Sequence, residues 1–469
     1  MVSEFVIYDL ALLVLFTLAV AVFLYVNKKQ VARQGLLYLY RTNWGINLIE
    51  RTSKKFNSLI KFSRPLVILV GYILMFVMLY MLVKFSWTYI SSDTIARELK
   101  IPIVMPLIPY LPELFGLTFL PPLYFTYWII IIALIAIPHE FFHGIYARIA
   151  KVKVHSTGFG FLGPFLAAFV EPDEKRMAKV SKKDQLAILA SGTFANVLTA
   201  IVVGILFALF FLIAFTPAGV IFPMYSSSTL PVASLNVTNN ATLPDVGQLP
   251  STFKDRLIQV SFNDSTYYVL SDSLEKARAD NYSYIQGIDD SPAFKSKLSG
   301  PILAIDGIKT NSYQALREIL STKSPGDNIT LSTLDKDGTS HDTLVTLSER
   351  EGKAFLGIAT FSHERSGLLS GIYSLLEKIK DSDVHYSSDF GAFGIFIYNL
   401  LWWSLLISIS VALVNMLPLG LFDGGKFFMI SITALTGSEK IGMQAFKVST
   451  ALLLTLIVLL MVKWVFIFF

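Results

Sequence analysis

Two histidines four residues apart lie at the end of an apolar run that is long enough to cross a membrane. His139 and His143 would share one face of a helix, where both imidazoles can hold the same metal ion. Glu140, beside them, is placed to take a proton from a water molecule at that metal. Polar groups at hydrocarbon depth are costly to insert, so their presence favours a functional role. The spacing therefore predicts a zinc hydrolase whose chemistry takes place within the membrane.

The composition is that of an integral membrane protein. Of the 469 residues, 54% are hydrophobic and 16% are charged, whereas an ordinary soluble domain has about 25% charged residues. The net charge of +5 does not indicate a nucleic-acid partner, because many basic residues flank apolar segments, the pattern that orients membrane proteins. Cysteine is absent. Any zinc must therefore be held by histidine and carboxylate groups.

Six apolar segments are long enough to span a bilayer, which takes about 20 residues. They lie near 5–26, 66–88, 123–150, 186–216, 392–418 and 447–469. Lysine and arginine accumulate between the first two segments and again in 151–184, so the positive-inside rule places both loops in the cytoplasm, beside the lipid head groups. We therefore expect both termini outside and the histidine pair towards the cytoplasmic side. The first segment lacks a cleavage site and is expected to be retained.

Three connecting segments have features of their own. Residues 100–122 are interrupted by repeated prolines, which favour a loop at the outer membrane surface or against the helices. Residues 152–170 are apolar, β-prone and punctuated by glycine, so we expect a strand pair with an edge that can bind an extended peptide. Residues 366–380 place leucines and isoleucines on one helical face, which predicts an interfacial amphipathic helix.

A small folded module is predicted at 285–363. Residues 300–310 have the pattern strand, Asp-Gly turn, strand; residues 313–320 have helical periodicity; and alternation returns at 329–334. This order resembles a PDZ domain of the type attached to membrane and periplasmic proteases. An unrelated small α+β domain is the alternative.

A histidine pair leaves a catalytic zinc site one protein ligand short, since such sites usually use three. Asp423 is the prime candidate, because topology brings it to the same membrane side as His143. The Pro-Leu-Gly and Gly-Gly elements around it allow the backbone to leave its helix and carry the carboxylate to the metal. The alternative is that Asp423 is a polar cap at a helix end.

The two motifs together resemble the site-2 protease family of intramembrane zinc metalloproteases. That family pairs HExxH on one core helix with an Asn-x-x-Pro-x-x-x-x-Asp-Gly segment on another, which Asn415 to Gly424 matches here. Its members often carry a PDZ domain between the second and third core helices, where the predicted module falls. The resemblance covers about 91–469.

The resemblance implies a role for each matching residue. His139, His143 and Asp423 would bind Zn²⁺, Glu140 would be the general base, and Asn415 would lie near the scissile peptide or the oxyanion. Ser191 to Asn196 is similar to the family's Gly-Pro-x-x-Asn element, with Thr193 where proline is usual. Asn196 would then face substrate. An interhelical hydrogen bond is the alternative role for Asn196.

The predicted fold is an α-helical polytopic membrane protein with about six transmembrane helices, four of them forming the protease core, and an inserted α+β PDZ-like domain. The predicted regions are two additional N-terminal spans with a basic loop at 1–90, the first half of the core at 91–216, an extracytoplasmic polar segment at 217–284, the PDZ-like domain at 285–363, and an interfacial helix with the second half of the core at 364–469.

The predicted function is an intramembrane zinc metalloendopeptidase that cleaves transmembrane segments of membrane-bound proteins in a prokaryotic cell membrane. The partners are transmembrane substrates, the bilayer and a possible peptide ligand of the PDZ-like domain. A non-catalytic scaffold that binds peptide termini is the main alternative. A prenyl-protein type of metalloprotease generally takes glutamate as its third ligand, and a metal transporter would spread polar residues over several spans, so both fit less well.

Overall fold

A computed structural model describes residues 4–35, 37–91, 107–117, 120–239, 257–335, 338–359 and 379–468. The chain divides into two compact units, one formed by Met1–Leu209 with Phe396–Phe469 and the other by Phe210–Ile395. The predicted interfacial helix at 366–380 lies almost wholly outside the described residues. Pro102 and Pro106, in the segment predicted to form a loop, lie outside them altogether.

In the described residues and in chain order, the helices are α1 (Glu4–Val26), α2 (Trp44–Lys55), α3 (Asn57–Ser91), α4 (Leu111–Leu114), α5 (Phe125–Ile149), α6 (Glu174–Met177), α7 (Lys182–Ala214), α8 (Ser271–Ala279), α9 (Pro292–Lys295), α10 (Tyr313–Ser321), α11 (Gly391–Val414), α12 (Asp423–Thr436) and α13 (Glu439–Phe468). Among these residues, α1, α3, α5, α7, α11 and α13 are long and apolar enough to cross a membrane. Their number agrees, by length and composition, with the six predicted spans.

The strands are β1 (Val31–Gln34), β2 (Leu37–Thr42), β3 (Val154–Leu162), β4 (Phe165–Pro172), β5 (Phe215–Val220), β6 (Met224–Tyr225), β7 (Ser227–Pro231), β8 (Asn236–Asn239), β9 (Leu257–Phe262), β10 (Ser265–Leu270), β11 (Tyr284–Asp289), β12 (Ile302–Ile305), β13 (Ile308–Lys309), β14 (Asn328–Leu334), β15 (Ser340–Thr346), β16 (Ser348–Arg350), β17 (Lys353–Phe355), β18 (Ile358–Ala359) and β19 (Val384–Ser388). The first four belong to the membrane unit.

A four-stranded antiparallel sheet in the order β1-β2-β3-β4 extends the strand pair expected at 152–170. Gly163, with φ +59°, makes the tight turn between β3 and β4. The loop between the first two spans contributes β1 and β2, so Gly160 of β3 lies between Leu39 and Ala167. Because β3 has a partner on each side, the edge that can accept another strand beside the histidine helix is β4.

The two N-terminal spans pack into the core around the histidine helix. One apolar cluster includes Ile49 of α2, Val67 of α3, Ala190 of α7 and Phe427 of α12, and all four of these side chains are wholly buried. Ile49 fits against Gly144 of α5, where an added Cβ would come within 2.6 Å of the isoleucine Cδ1. Helices α2 and α3 are therefore part of the packing around the histidine helix and not a separate appendage.

Asp9 of α1 caps the N-terminus of α5, the helix that carries the histidines. Its carboxylate is 2% exposed and accepts hydrogen bonds from the backbone N–H groups of Phe125 (2.7 Å) and Thr126 (2.9 Å). The hydroxyls of Thr126 and Tyr110 also donate to it. These donors include first-turn N–H groups that have no partner within a helix, so Asp9 fixes where α5 begins.

We expect Asp9→Asn to lower the free energy of unfolding by about 3 kcal/mol. The reason is that a neutral amide, which is itself partly a donor, replaces a buried carboxylate whose hydrogen-bond partners are all donors. Thermal unfolding in detergent measures the change. Thr126→Val is the matched control, since it removes one of the donors and is expected to cost about 1 kcal/mol. Equal destabilisation by both variants would contradict the capping role.

The second unit contains two larger sheets. One has the order β7-β11-β10-β9-β8 and the other β15-β14-β12-β5-β19, with β13 paired to β12. Asp306 and Gly307, both with positive φ, form the predicted Asp-Gly turn, and α10 follows as expected. Both sheets include strands from before residue 285, and β19 follows residue 363. The PDZ-like assignment of 285–363 stays a prediction.

Candidate active site

The two histidines and Asp423 converge on one point. The distance between His139 Nε2 and His143 Nε2 is 3.1 Å, and Asp423 Oδ2 lies 3.3 Å from the first and 3.1 Å from the second. Three ligands at tetrahedral angles around zinc, each about 2.0–2.1 Å from the ion, are about 3.3 Å apart. The donor set and its spacing therefore fit zinc, with a fourth position left for reactants.

The backbone around Asp423 explains how its carboxylate reaches the histidines. Helix α11 ends at Val414, and the N–H of Gly424 donates to the carbonyl oxygen of Asn415 at 2.8 Å, which folds the chain back before α12. A Cβ at Gly424 would lie 2.3 Å from the carbonyl carbon of Met416, and one at Gly425 would lie 2.4 Å from the Leu419 oxygen. The Gly-Gly pair thus permits the close turn that the sequence indicated.

In both imidazoles Nδ1, the nitrogen that points away from the site, has a hydrogen-bond partner. Nε2 is therefore available to bind a metal. Nδ1 of His143 lies 2.7 Å from the carbonyl oxygen of Ile188, which can only accept, so this nitrogen carries the hydrogen. Nδ1 of His139 lies 3.0 Å from the amide of Asn196. The Asn196 side chain is fully buried, with Nδ2 towards the ring and no hydrogen-bond partner for Oδ1 among the described residues. With Oδ1 turned to the ring, the amide accepts the Nδ1 hydrogen.

Gly192 of α7 provides the space beside the two ligand nitrogens. An added Cβ would lie 2.2 Å from His143 Nε2 and 2.6 Å from His139 Nε2. The residue lies in the 191–196 segment, but its own role could not be read from the sequence. Only a hydrogen fits on this face of the site.

Glu140 and Asn415 line the cavity beside the ligands, and Asn196 does not. This cavity has a volume of about 340 Å³ and lies between α5 and the end of α11, with Ile135, Val411 and Phe422 among its walls. Glu140 Oε2 accepts a hydrogen bond of 2.9 Å from the N–H of Val170 in β4. The sheet therefore holds the carboxylate at the mouth of the site.

A hydrogen-bonded carboxylate ties three strands of the sheet together next to that contact. Glu171 of β4 accepts from the Ser156 hydroxyl of β3 (2.6 Å) and from Arg41 Nε of β2 (3.1 Å). The Ser156 hydroxyl, followed by the Arg41 guanidinium, holds the pKa of Glu171 below its usual range. The position of β4 beside Glu140 thus depends on Arg41, which precedes α3 in the chain, and on Ser156, which follows it.

Because folding lowers the pKa of Glu171, its ionised form stabilises the fold above the unfolded pKa, near 4.3, and this contribution is lost as pH falls through the folded pKa. We expect the stability of Glu171→Gln to fall less below about pH 4 than that of the unaltered protein. At neutral pH the cost is about 1 kcal/mol or less, since the side chain is 44% exposed. Melting temperatures between pH 3 and 7 measure it, with exposed Glu275→Gln as control. Parallel curves for Glu171→Gln and the unaltered protein would contradict it.

The candidate metal site and the apolar helices together indicate the class of the protein, a membrane metalloprotease. Residues 127–459 match the sequence model of peptidase family M50, the site-2 protease family, and the chain belongs to that family. The chain is also similar to the uncharacterized protein MJ0971 of Methanocaldococcus jannaschii, with 30% identity over 172 residues. That alignment covers 35% of this chain and 41% of the relative, so the chain matches less than half of the relative's length.

Proposed function

We propose that the protein is an intramembrane zinc metalloendopeptidase that hydrolyses peptide bonds within transmembrane segments of membrane-bound proteins. The observation that carries this proposal is the meeting of Asp423, at metal-ligand spacing, with His139 and His143, which lie on a helix able to span the membrane. Glu140 is next to them and faces a cavity. A stabilising role alone would not explain a solvent-sized space beside four costly polar groups at this depth.

Each side chain has a defined task in this reaction. Zinc held by His139, His143 and Asp423 would polarise the scissile carbonyl and lower the pKa of water. Glu140 accepts a proton from the attacking water and passes it to the leaving amine. The amide of Asn415, at the cavity wall, can donate a hydrogen bond to the carbonyl oxygen as negative charge develops there. Asn196 orients His139 and does not contact substrate.

The open edge of β4 gives the substrate's unwound backbone a place to pair. In an antiparallel sheet, successive residues direct their N–H and C=O groups alternately to the two sides. The N–H of Val170 points away from β3, towards Glu140, so the backbone groups of Leu166 and Ala168 also point away from β3. Unpaired peptide groups at membrane depth are costly, and a substrate strand would satisfy them.

The strand runs alongside the membrane-spanning helix. Phe165, where β4 begins, stacks edge-on against Trp128 near the start of α5, with ring centres 5.0 Å apart. Val170, five residues later, meets Glu140 in the second half of the same helix. A transmembrane segment that enters beside α5 would therefore meet the strand edge before it reaches the catalytic groups.

We further propose that the site faces the cytoplasmic side and that both termini and the PDZ-like domain at 285–363 are outside, in a prokaryotic cell membrane. The basic residues of the loop that holds β1, β2 and α2 support this orientation. The PDZ-like domain would then bind a peptide of the substrate or limit which substrates enter.

The test is cleavage of a single-span protein, tagged at both ends, by the purified enzyme in lipid vesicles. We expect products whose new termini lie inside the transmembrane segment by mass spectrometry, loss of cleavage on chelation, and recovery on addition of Zn²⁺. Cleavage confined to residues outside the span, or unaffected by chelation, would contradict the proposal. Binding of peptide termini without any cleavage would favour the scaffold alternative.

A further inference from the structure

A second, smaller cavity lies against Glu140. Its volume is about 150 Å³, and Glu140 is the residue that it shares with the catalytic cavity. Helix α2 contributes Trp44 and Leu48, α5 contributes Ile137 and Phe141, and the strands β3 and β4 contribute Phe159 and Ala168. The walls are apolar apart from the catalytic carboxylate and threonine side chains, so the space suits an apolar group and not a water cluster.

The cavity lies on the helix-facing side of the sheet. Ala168 is paired with Phe159, and both line the space. Val170, two residues along β4 and on the same face, lies beside α5, since its Cγ1 would be 3.3 Å from a Cβ at Gly144. Directly opposite residues of paired strands place their side chains on the same face. A residue paired with Ala168 from beyond the β4 edge would therefore direct its side chain to this cavity.

The size of the cavity sets what can enter it. An apolar space of about 150 Å³ holds a molecule of the size of benzene, so a leucine, isoleucine or phenylalanine side chain fits and a tryptophan does not. Ala168 is two residues from Val170, whose N–H is bonded to Glu140. The side chain that enters therefore belongs to a residue within about three positions of the scissile bond, given the strand rise of about 3.4 Å per residue.

We propose that this cavity is a specificity pocket for one large apolar side chain of the cleaved transmembrane segment, and that α2, from the loop between the two additional N-terminal spans, forms its outer wall. The proposal rests on the proposed function. It assigns to that loop a part in substrate choice. Alanine at the recognised position leaves the pocket unfilled, so cleavage efficiency falls by about tenfold to a hundredfold relative to leucine or phenylalanine.

The experiment first maps the scissile bond in the single-span substrate, then places alanine, leucine, phenylalanine and tryptophan at each of three positions on either side. We expect one position at which leucine and phenylalanine give the highest kcat/KM. Ala168→Leu fills the pocket and should abolish this preference. It should lower kcat/KM for the leucine and phenylalanine substrates at least tenfold and should change kcat/KM for the alanine substrate by no more than about threefold. Leu48→Ala enlarges the pocket through α2 and should raise cleavage of the tryptophan substrate.

Ala32→Leu is the matched control. Ala32 lies on β1, at the opposite edge of the same sheet, and on the opposite face through its pairing with Leu39 and hence Gly160. It adds the same three carbons to the sheet and should leave the preference unchanged. If neither Ala168→Leu nor Leu48→Ala changes the preference, the proposal is overturned while the protease function stands. A lipid chain bound in the cavity would give that result.

A uniform loss for all substrates with Ala168→Leu is a folding effect, and Leu48→Ala then decides: no gain with tryptophan overturns the proposal. Failure of the unaltered enzyme to cleave any substrate of the series, with zinc bound, contradicts the protease function itself and this inference with it.

Discussion

We expect Glu140→Gln to retain zinc but to lower kcat for cleavage of a single-span substrate by about 10²- to 10⁴-fold. This range is the usual contribution of a general base. Glutamine has nearly the same shape, and its carbonyl oxygen can still accept the hydrogen bond from Val170 that Glu140 receives at 2.9 Å. It cannot take up a proton from water. The three proposed zinc ligands are untouched, so one zinc ion per chain should remain by elemental analysis.

Glu439→Gln provides the control, because that carboxylate is 85% exposed at the start of α13 and away from the cavity. Its kcat should match that of the unaltered enzyme. Should Glu140→Gln cleave at the full rate with zinc bound, Glu140 would not be the base. Loss of zinc together with activity would instead indicate that the carboxylate supports the metal site.

Gly192→Ala should abolish zinc binding. The added methyl group would lie 2.2 Å from His143 Nε2 and 2.6 Å from His139 Nε2, far inside contact distance. At least one imidazole must then turn away, and a site with fewer than three protein ligands loses most of its affinity for zinc. We expect the zinc content after purification to fall below about a tenth of an ion per chain, because loss of one ligand from three costs well over tenfold in affinity.

Gly204→Ala is the control on the same helix, since its added Cβ would meet only Leu405 Cδ1, at an ordinary 3.6 Å. It should keep zinc, and both variants should keep their helical circular dichroism. A Gly192→Ala protein that binds zinc normally would show that the ligand nitrogens in the working enzyme are placed differently from those described.

The candidate site was largely predictable because three of its residues lie close together in sequence. His139, Glu140 and His143 are fixed by one turn of helix, and this spacing is visible in any chain. Asp423 is separated from His143 by 280 residues and could be reached only through topology and the resemblance of its flanking motif. The sequence also predicted the number of spans, since length and hydropathy decide it.

The supporting contacts were not predictable, because each joins segments that no local pattern connects. Asp9 is a single carboxylate in an apolar run, a signal of function that the sequence shows, but nothing in the sequence names α5 as its partner. The pairing of β2 with β3, the contact of Val170 with Glu140 and the closeness of Gly192 to the imidazoles depend on tertiary packing. For Asn196 the sequence left a place near substrate and an interhelical hydrogen bond open, and its amide lies against the outward nitrogen of His139.

The pairing of β2 with β3 has a consequence for biogenesis. Thr42 and Thr157 are partners across 115 residues of sequence, so β2 leaves the ribosome well before the strand that covers it. During that interval its free peptide groups require water, since hydrocarbon offers them no partner. The β1–β2 hairpin must therefore wait at the aqueous boundary while α3 and α5 are inserted, and the sheet closes only after the histidine helix is in the membrane.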